Sequence, residues 1–231
     1  MEILRTLASL IRNAVQEEPT YWATKIQDTF GIACAPKEPG TPLDPIVLRQ
    51  TYSILDLMRP NLVKACGVNT LYFSNSMGPN KSYYPNHGYY VDNSVTLNND
   101  IFYHPDVMDD FFDSHGYFIG RPTQTIVHEF AHGYDAAHDE LSVKPEWTKL
   151  SGWSAEDRPG LKRLVIMTPG QPPLLGEWYF DPKAKFTRFY AKRNPWDDFA
   201  DSFAYFAGGL KDKVPANKAE YMSNLLKPYL N

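Results

Sequence analysis

The sequence predicts an α+β fold, helical over its first third, from three observations. Apolar residues recur at helical spacing through residues 1–66. Alternating, β-branched and aromatic residues follow over Val68–Phe73 and Tyr89–Leu97. Helical spacing returns after Asn194. At 231 residues with 43% hydrophobic content, the chain can bury one sizeable core. The expected arrangement is a single domain, with a helical N-terminal subdomain over 1–67 and a core over 68–231 built on a small mixed sheet.

Ile3, Leu4, Leu7, Leu10, Ile11 and Ala14 fall at helical spacing and suit a packed amphipathic helix. Tyr21, Trp22, Ile26 and Phe30 predict a second helix that ends near Gly31. Pro36, Pro39, Pro42 and Pro45 with Gly40 read as a rigid connecting loop over 34–45. Asp44-Pro45 then starts a helix, with Asp as cap and Pro in its first turn, running towards Gly67 with a break at Pro60.

The two strand-like runs are expected to be antiparallel neighbours, separated by an Asn-, Gly-, Pro- and Ser-rich stretch at 74–88. Residues 105–113 read as a short acidic helix opened by Pro105. Thr123 is the expected N-cap of a helix over 123–138, buried through Ile126, Val127, Phe130, Ala131 and Tyr134. The Pro-, Gly- and Trp-rich stretch 139–180 has weak periodicity, and so long a connection suits the wall of a cleft. Asn194-Pro195 opens a helix with Phe199, Ala200, Phe203 and Phe206 on one stripe, ended by Gly208-Gly209. Lys218–Tyr229 reads as a closing helix with Ala219, Met222, Leu225 and Leu226 facing inwards.

Composition removes several classes of function. A net charge of −4 gives no electrostatic reason to expect nucleic acid or an anionic membrane as partner. No apolar run approaches the roughly 20 residues that span a bilayer. Arg5 and Arg12 leave six uncharged residues between them, too few for the apolar stretch of an export signal. The expectation is a cytoplasmic protein or one exported by a specialised route. Cys34 and Cys66 make no disulfide framework and are expected to be free thiols.

The chemistry sits in His128-Glu129-Phe130-Ala131-His132. On a helix, residues four apart lie one turn above each other, so His128 and His132 can aim two imidazoles at one Zn²⁺ ion. Glu129 then stands beside a water at the metal, placed to act as general base in peptide hydrolysis. A catalytic zinc needs a third protein ligand. His138 has the spacing of the metzincins, but the Gly that breaks the helix in that motif is Asp135 here. On an unbroken helix His138 would point about 80° away from His128. The alternative is a carboxylate from the helix after Asn194, where Asp197 and Asp201 lie four apart on one side and Asp198 is adjacent. In that arrangement one acid binds the metal and the acid a turn later orients a ligand histidine. A structural zinc site closed by His138, and a non-catalytic binding protein on the same scaffold, are further readings.

At this point the sequence resembles the gluzincin metallopeptidases, most closely the catalytic domain of anthrax lethal factor and its bacterial relatives. The likeness covers roughly residues 125–229. It rests on the HExxH sequence with Asp135 three residues on, the block from Tyr190 through Asn194, Asp197, Phe199, Ala200 and Asp201 to Phe203, and the closing helix. The resemblance implies a zincin-like fold and a zinc endopeptidase acting on a protein or peptide substrate. It implies His128, His132 and Asp197 as ligands, Glu129 as general base and Tyr190 as a stabiliser of the transition state. Asp201 and Asp135 would support the ligands from behind. Both Asp197 and Asp201 are Glu in the family's pattern, so the shorter side chains require the helix to sit closer to the metal. Aromatic segments 83–90 and 177–190 are candidates to line a cleft for bulky or apolar side chains.

Overall fold

The computed structural model describes residues 18–75, 88–103, 121–166 and 174–230. The amphipathic helix expected at the N-terminus, the acidic helix at 105–113 and residues 83–87 of the first aromatic segment lie outside these residues. Helix α1 (Pro19–Phe30) buries Trp22, Ile26 and Phe30, and Gly31 closes it at φ 79°. Strand β1 (Ala33–Pro36) follows at once and overlaps the start of the stretch read as loop. Its one proline is compatible with a strand because β1 is an edge strand and Pro36 is its last residue.

Helix α2 (Pro45–Met58) starts as its sequence requires: the Asp44 carboxylate accepts from the Ile46 N–H at 2.8 Å and from that of Val47. Helix α3 (Pro60–Ala65) is set off from it by Arg59 in an unusual positive-φ conformation. This α2–α3 crossover returns the chain as β2 (Thr70–Ser74), parallel to β1. The sheet therefore crosses the boundary expected at Gly67, and the first third of the chain, read as mostly helical, also contributes strand β1.

The stretch Tyr89–Leu97 is two strands. Strand β3 (Gly88–Val91) and strand β4 (Ser94–Asn98) form an antiparallel hairpin. Its two-residue turn is Asp92-Asn93, with φ of 47° and 59°. Positive φ at both turn residues matches the twist of a tight hairpin, and Asp and Asn tolerate it better than most side chains. Because β3 runs back along the sheet edge, β4 enters between β2 and β3 and pairs with β2 in parallel, not antiparallel as expected. The sheet order is β1-β2-β4-β3, which leaves β3 on an edge.

After the short helix α4 (Asp100–Tyr103), helix α5 spans Arg121–Ala137. Thr123 lies within its first turn and is not its cap. Gly133 lets α5 press against the chain: a Cβ there would meet the Cys66 carbonyl oxygen at 2.5 Å and Val68 Cγ2 at 2.9 Å. Helix α6 (Pro145–Ser151), strands β5 (Trp153–Ser154), β6 (Val165–Ile166), β7 (Leu174–Leu175) and β8 (Tyr179–Phe180) form the long connection. Helix α7 (Pro195–Ala207) and helix α8 (Ala216–Leu226) complete the fold.

One apolar core joins these parts. Ile26, Leu48 and Leu55 from the early helices, Leu71 and Val95 from the sheet, Phe130 from α5, Phe203 from α7 and Met222 from α8 belong to it. The molecule is a mixed α+β protein in which α5 packs along α7, between the sheet edge and the C-terminal helices. Among the described residues no helix is long and apolar enough to cross a membrane. Cys34 and Cys66 are free thiols.

Candidate metal centre

Helix α5 presents His128, Glu129 and His132 on the side that faces α7 and β3. The first two are buried, and His132 is partly exposed. Gly88 on β3 makes the approach of the sheet edge possible, since a Cβ there would lie 2.9 Å from Thr125 Cγ2 and 3.1 Å from Glu129 Cγ. In return the Tyr90 backbone N–H donates to the Glu129 carboxylate.

Helix α7 supplies the carboxylates, and its N-cap does two things. The Asn194 side-chain oxygen accepts from the Asp197 N–H at 2.7 Å, and its amide nitrogen donates to Asp197 Oδ2 at 2.9 Å. With Oδ2 held, Oδ1 faces the histidines, 3.5 Å from His128 Nε2 and 3.6 Å from His132 Nε2. The two Nε2 atoms are themselves 3.1 Å apart.

One turn on, Asp201 is fully buried and takes His128 Nδ1 at 2.8 Å. Its carboxylate is also gripped by Arg188, through Nε to Oδ2 at 2.8 Å and Nη2 to Oδ1 at 2.9 Å. A carboxylate on Nδ1 fixes the proton there and leaves the Nε2 lone pair to point at Asp197 Oδ1 and His132 Nε2.

Three electron-rich atoms thus converge, and the site calls for positive charge. Burial alone would lower the His128 pKa, but Asp201 and Asp197 outweigh it and carry it up to about 10. Burial would raise Asp197, but the two histidines hold its carboxyl well below the usual range. A proton on His128 meets this demand; so does a metal ion at the centre of the triangle. His128, His132 and Asp197 offer ligand atoms all within 4.8 Å of one another. Tetrahedral sites with bonds of about 2.0–2.1 Å have ligand–ligand edges of about 3.3 Å, and the edges here are 3.1, 3.5 and 3.6 Å. The donor set, two imidazole nitrogens and a carboxylate oxygen, suits zinc.

Glu129 stands next to this triangle. Burial raises its pKa, His128 and His132 pull it down, and Asp197 raises it again; the result is a rise. Tyr190, on a 3₁₀ turn over Tyr190–Lys192, has its ring centroid 5.8 Å from that of His128. Burial and the charge of Asp197 raise the Tyr190 pKa, so its phenol keeps its proton, and Arg193 Nη1 donates to the hydroxyl oxygen. A cleft of about 420 Å³ opens over these groups, lined among others by Tyr89, Tyr90, Glu129, Tyr190, Trp196 and Asp197.

The other sequence candidates do different work. Helix α5 continues past His132 to Ala137 without breaking, so His138 does not turn back. Its Nδ1 lies 2.7 Å from the Tyr134 carbonyl oxygen and its ring stacks on Tyr134 at 3.9 Å. Asp198 faces away from the histidines: it takes Lys218 Nζ at 2.6 and 2.8 Å and Trp153 Nε1 at 2.9 Å. Asp135 lines the cleft, but its carboxylate accepts from the Ser142 N–H at 2.8 Å and the Ser142 hydroxyl at 2.5 Å, not from His128 or His132. Asp139 and Glu140, both at positive φ, fold the chain back to make that contact possible. Of the long connection after α5, Glu140 reaches the cleft, while Trp147 is spent in the core.

Asn194, Arg188 and Arg193 were not singled out as site residues by sequence. Asn194 stood out as a helix cap and as a member of the block from Tyr190 to Phe203, and the arginines carried no signal of their own. No family model matches the chain, and no curated protein or solved structure shows significant similarity to it.

Proposed function

We propose that the protein is a zinc-dependent endopeptidase of the gluzincin type, with a zincin-like core formed by β3, β4, α5 and α7. The observation that carries this reading is the His128–His132–Asp197 triangle with Glu129 beside it, built by two helices whose positions are independent in sequence. Zinc held there would supply a water activated at neutral pH and a Lewis acid for the scissile carbonyl. Glu129 takes the proton from the attacking water and delivers it to the leaving amine as the C–N bond breaks. The Tyr190 hydroxyl donates to the oxyanion that develops on the carbonyl oxygen. Asp201 keeps His128 in the tautomer a ligand needs, through the Nδ1 contact at 2.8 Å.

The cleft also offers a way to hold an extended peptide. Strand β3 is an edge strand, and Tyr89 and Tyr90 on it line the cleft. A substrate strand that pairs with β3 would lie across Glu129, because the two are already in contact.

Zinc content and cleavage of a peptide library separate this reading from its rivals. Wild type is expected to hold one zinc per chain and to cleave. Glu129→Gln should keep the zinc and lose about 100- to 10,000-fold in kcat. Asp197→Ala should lose zinc and activity together, whereas His138→Ala should keep both. Zinc lost with His138→Ala and kept with Asp197→Ala would overturn the assignment.

A further inference from the structure

Two guanidinium groups stand over the phenol ring of Tyr190, beside the metal centre. The Arg188 Cζ is 4.7 Å and the Arg193 Cζ 4.8 Å from the Tyr190 ring centroid. Each arginine also reaches a different carboxylate of α7. Arg188 makes the two-pronged contact with Asp201, the partner of His128. Arg193 Nε lies 3.7 Å from Asp197 Oδ2, and its Nη1 donates to the Tyr190 hydroxyl. Gln124 on α5 presents its amide to Arg188 as well, with distances of 2.7–2.9 Å when its oxygen faces the guanidinium. The phenol is thereby tied to both carboxylates and to the helix that bears the histidines.

We infer that Arg188 and Arg193 form a clamp on Tyr190: they fix the ring, and Arg193 occupies a lone pair of the hydroxyl so that its O–H is directed into the cleft. A phenol oxygen has one proton and two lone pairs. With Arg193 donating to the oxygen, the hydroxyl proton is directed away from that guanidinium. Hydrogen bonds in a chain polarise one another, so the bond from Arg193 strengthens the one Tyr190 gives. Cation–π attraction from both guanidiniums holds the ring plane at the same time. The 3₁₀ turn needs this support, because three residues of 3₁₀ helix place a side chain less firmly than α5 or α7 does. Both arginines are positioning residues: they act on the reaction through Tyr190. This rests on the reading of Tyr190 as oxyanion donor, and the test separates the two.

The first arm uses zinc-loaded protein and a fluorogenic peptide selected from a library by wild-type cleavage. Tyr190→Phe is expected to lower kcat about 100-fold. Arg193→Gln, at a side chain more than a third exposed and safe for folding, should lower kcat about tenfold with KM unchanged. In the Tyr190→Phe background the same change should have less than a twofold effect, since there is no hydroxyl left to orient. Arg188→Lys, which keeps a cation beside Asp201, should behave alike. Effects that multiply in the double variants would overturn the clamp. The second arm needs no activity. With ¹³Cζ-labelled tyrosine, the resonance that disappears in Tyr190→Phe should shift in Arg193→Gln and in Arg188→Lys. If it stays in place in both, the clamp is wrong whether or not the protein cleaves peptides. If it shifts but the protein holds zinc and cleaves nothing, the clamp stands and the peptidase reading fails.

Discussion

Helix α7 carries three buried aspartates, and its two faces treat them differently. On the face towards α8, Asp198 is fully buried and meets the Lys218 ammonium, itself 1% exposed, with both of its oxygens. On the face towards α5, Asp201 meets Arg188 and His128, while Asp197 points its Oδ1 at two imidazole nitrogens. A buried carboxylate without a countercharge is costly, so each needs a cation. Asp198 has one from the chain itself, and the contact is closed by Trp153. Asp197 has Asn194 and, at 3.7 Å, the half-exposed Arg193, both on Oδ2; its Oδ1 looks into a cleft. The lesson is that burial of acids on a helix does not mark a metal site. What distinguishes Asp197 is an oxygen aimed, with two imidazole nitrogens, at one point between α5 and α7.

The largest effect that tests this contrast is on the closed face. Burial pushes the Asp198 carboxyl up and the Lys218 ammonium down, and each is the chief offset of the other. Lys218→Met should therefore cost about 3–5 kcal/mol in urea unfolding, because it leaves a carboxylate buried without its partner. Asp198→Asn with Lys218→Met should recover much of that, since the amide oxygen still accepts from Trp153. The folded fraction of either variant should bind zinc as wild type does. Impaired zinc binding at full folding would erase the distinction between the two faces.

The open face predicts the reverse pattern. Zinc at about 100-fold above its dissociation constant should stabilise wild type by about 2.7 kcal/mol, and a chelator should remove that increment. Asp197→Ala should show little response to either, yet stay folded. An equal zinc increment in wild type and Asp197→Ala would mean that the ion binds elsewhere.

Much of this contrast was legible because it depends on local spacing. Asp44 and Asn194 cap their helices as their dipeptides predict, Gly31 ends α1, and the four-residue steps His128–His132 and Asp197–Asp201 put each pair on one helix side. What sequence could not give was tertiary. Lys218 reads as the first residue of a closing helix, and its partner lies 20 residues earlier on another helix. Asp135, three residues after His132, was expected from the family resemblance to support the metal ligands. The left-handed Asp139-Glu140 turn gives it to Ser142 instead. The β3–β4 hairpin was legible in principle: Asp92-Asn93 is a turn signal, hidden by β-forming residues on both sides.

Behind the ligands, the metal face should weaken by degrees. Asp201→Asn keeps an acceptor for His128 but loses the charge paired with Arg188, and metal affinity should fall about 10- to 100-fold by competition against a chromophoric chelator. The smallest expected effect separates the two duties of Asn194. Asn194→Ser retains an N-cap oxygen, so unfolding free energy should stay within about 0.5 kcal/mol of wild type. The shorter side chain cannot reproduce the amide donation to Asp197 Oδ2 at 2.9 Å while it caps. Oδ1 is then less firmly aimed, and zinc affinity should drop several-fold with folding intact. Were stability to fall and affinity to hold, Asn194 would be a cap alone, and the aim of Oδ1 would have to come from the packing of α7 against α5.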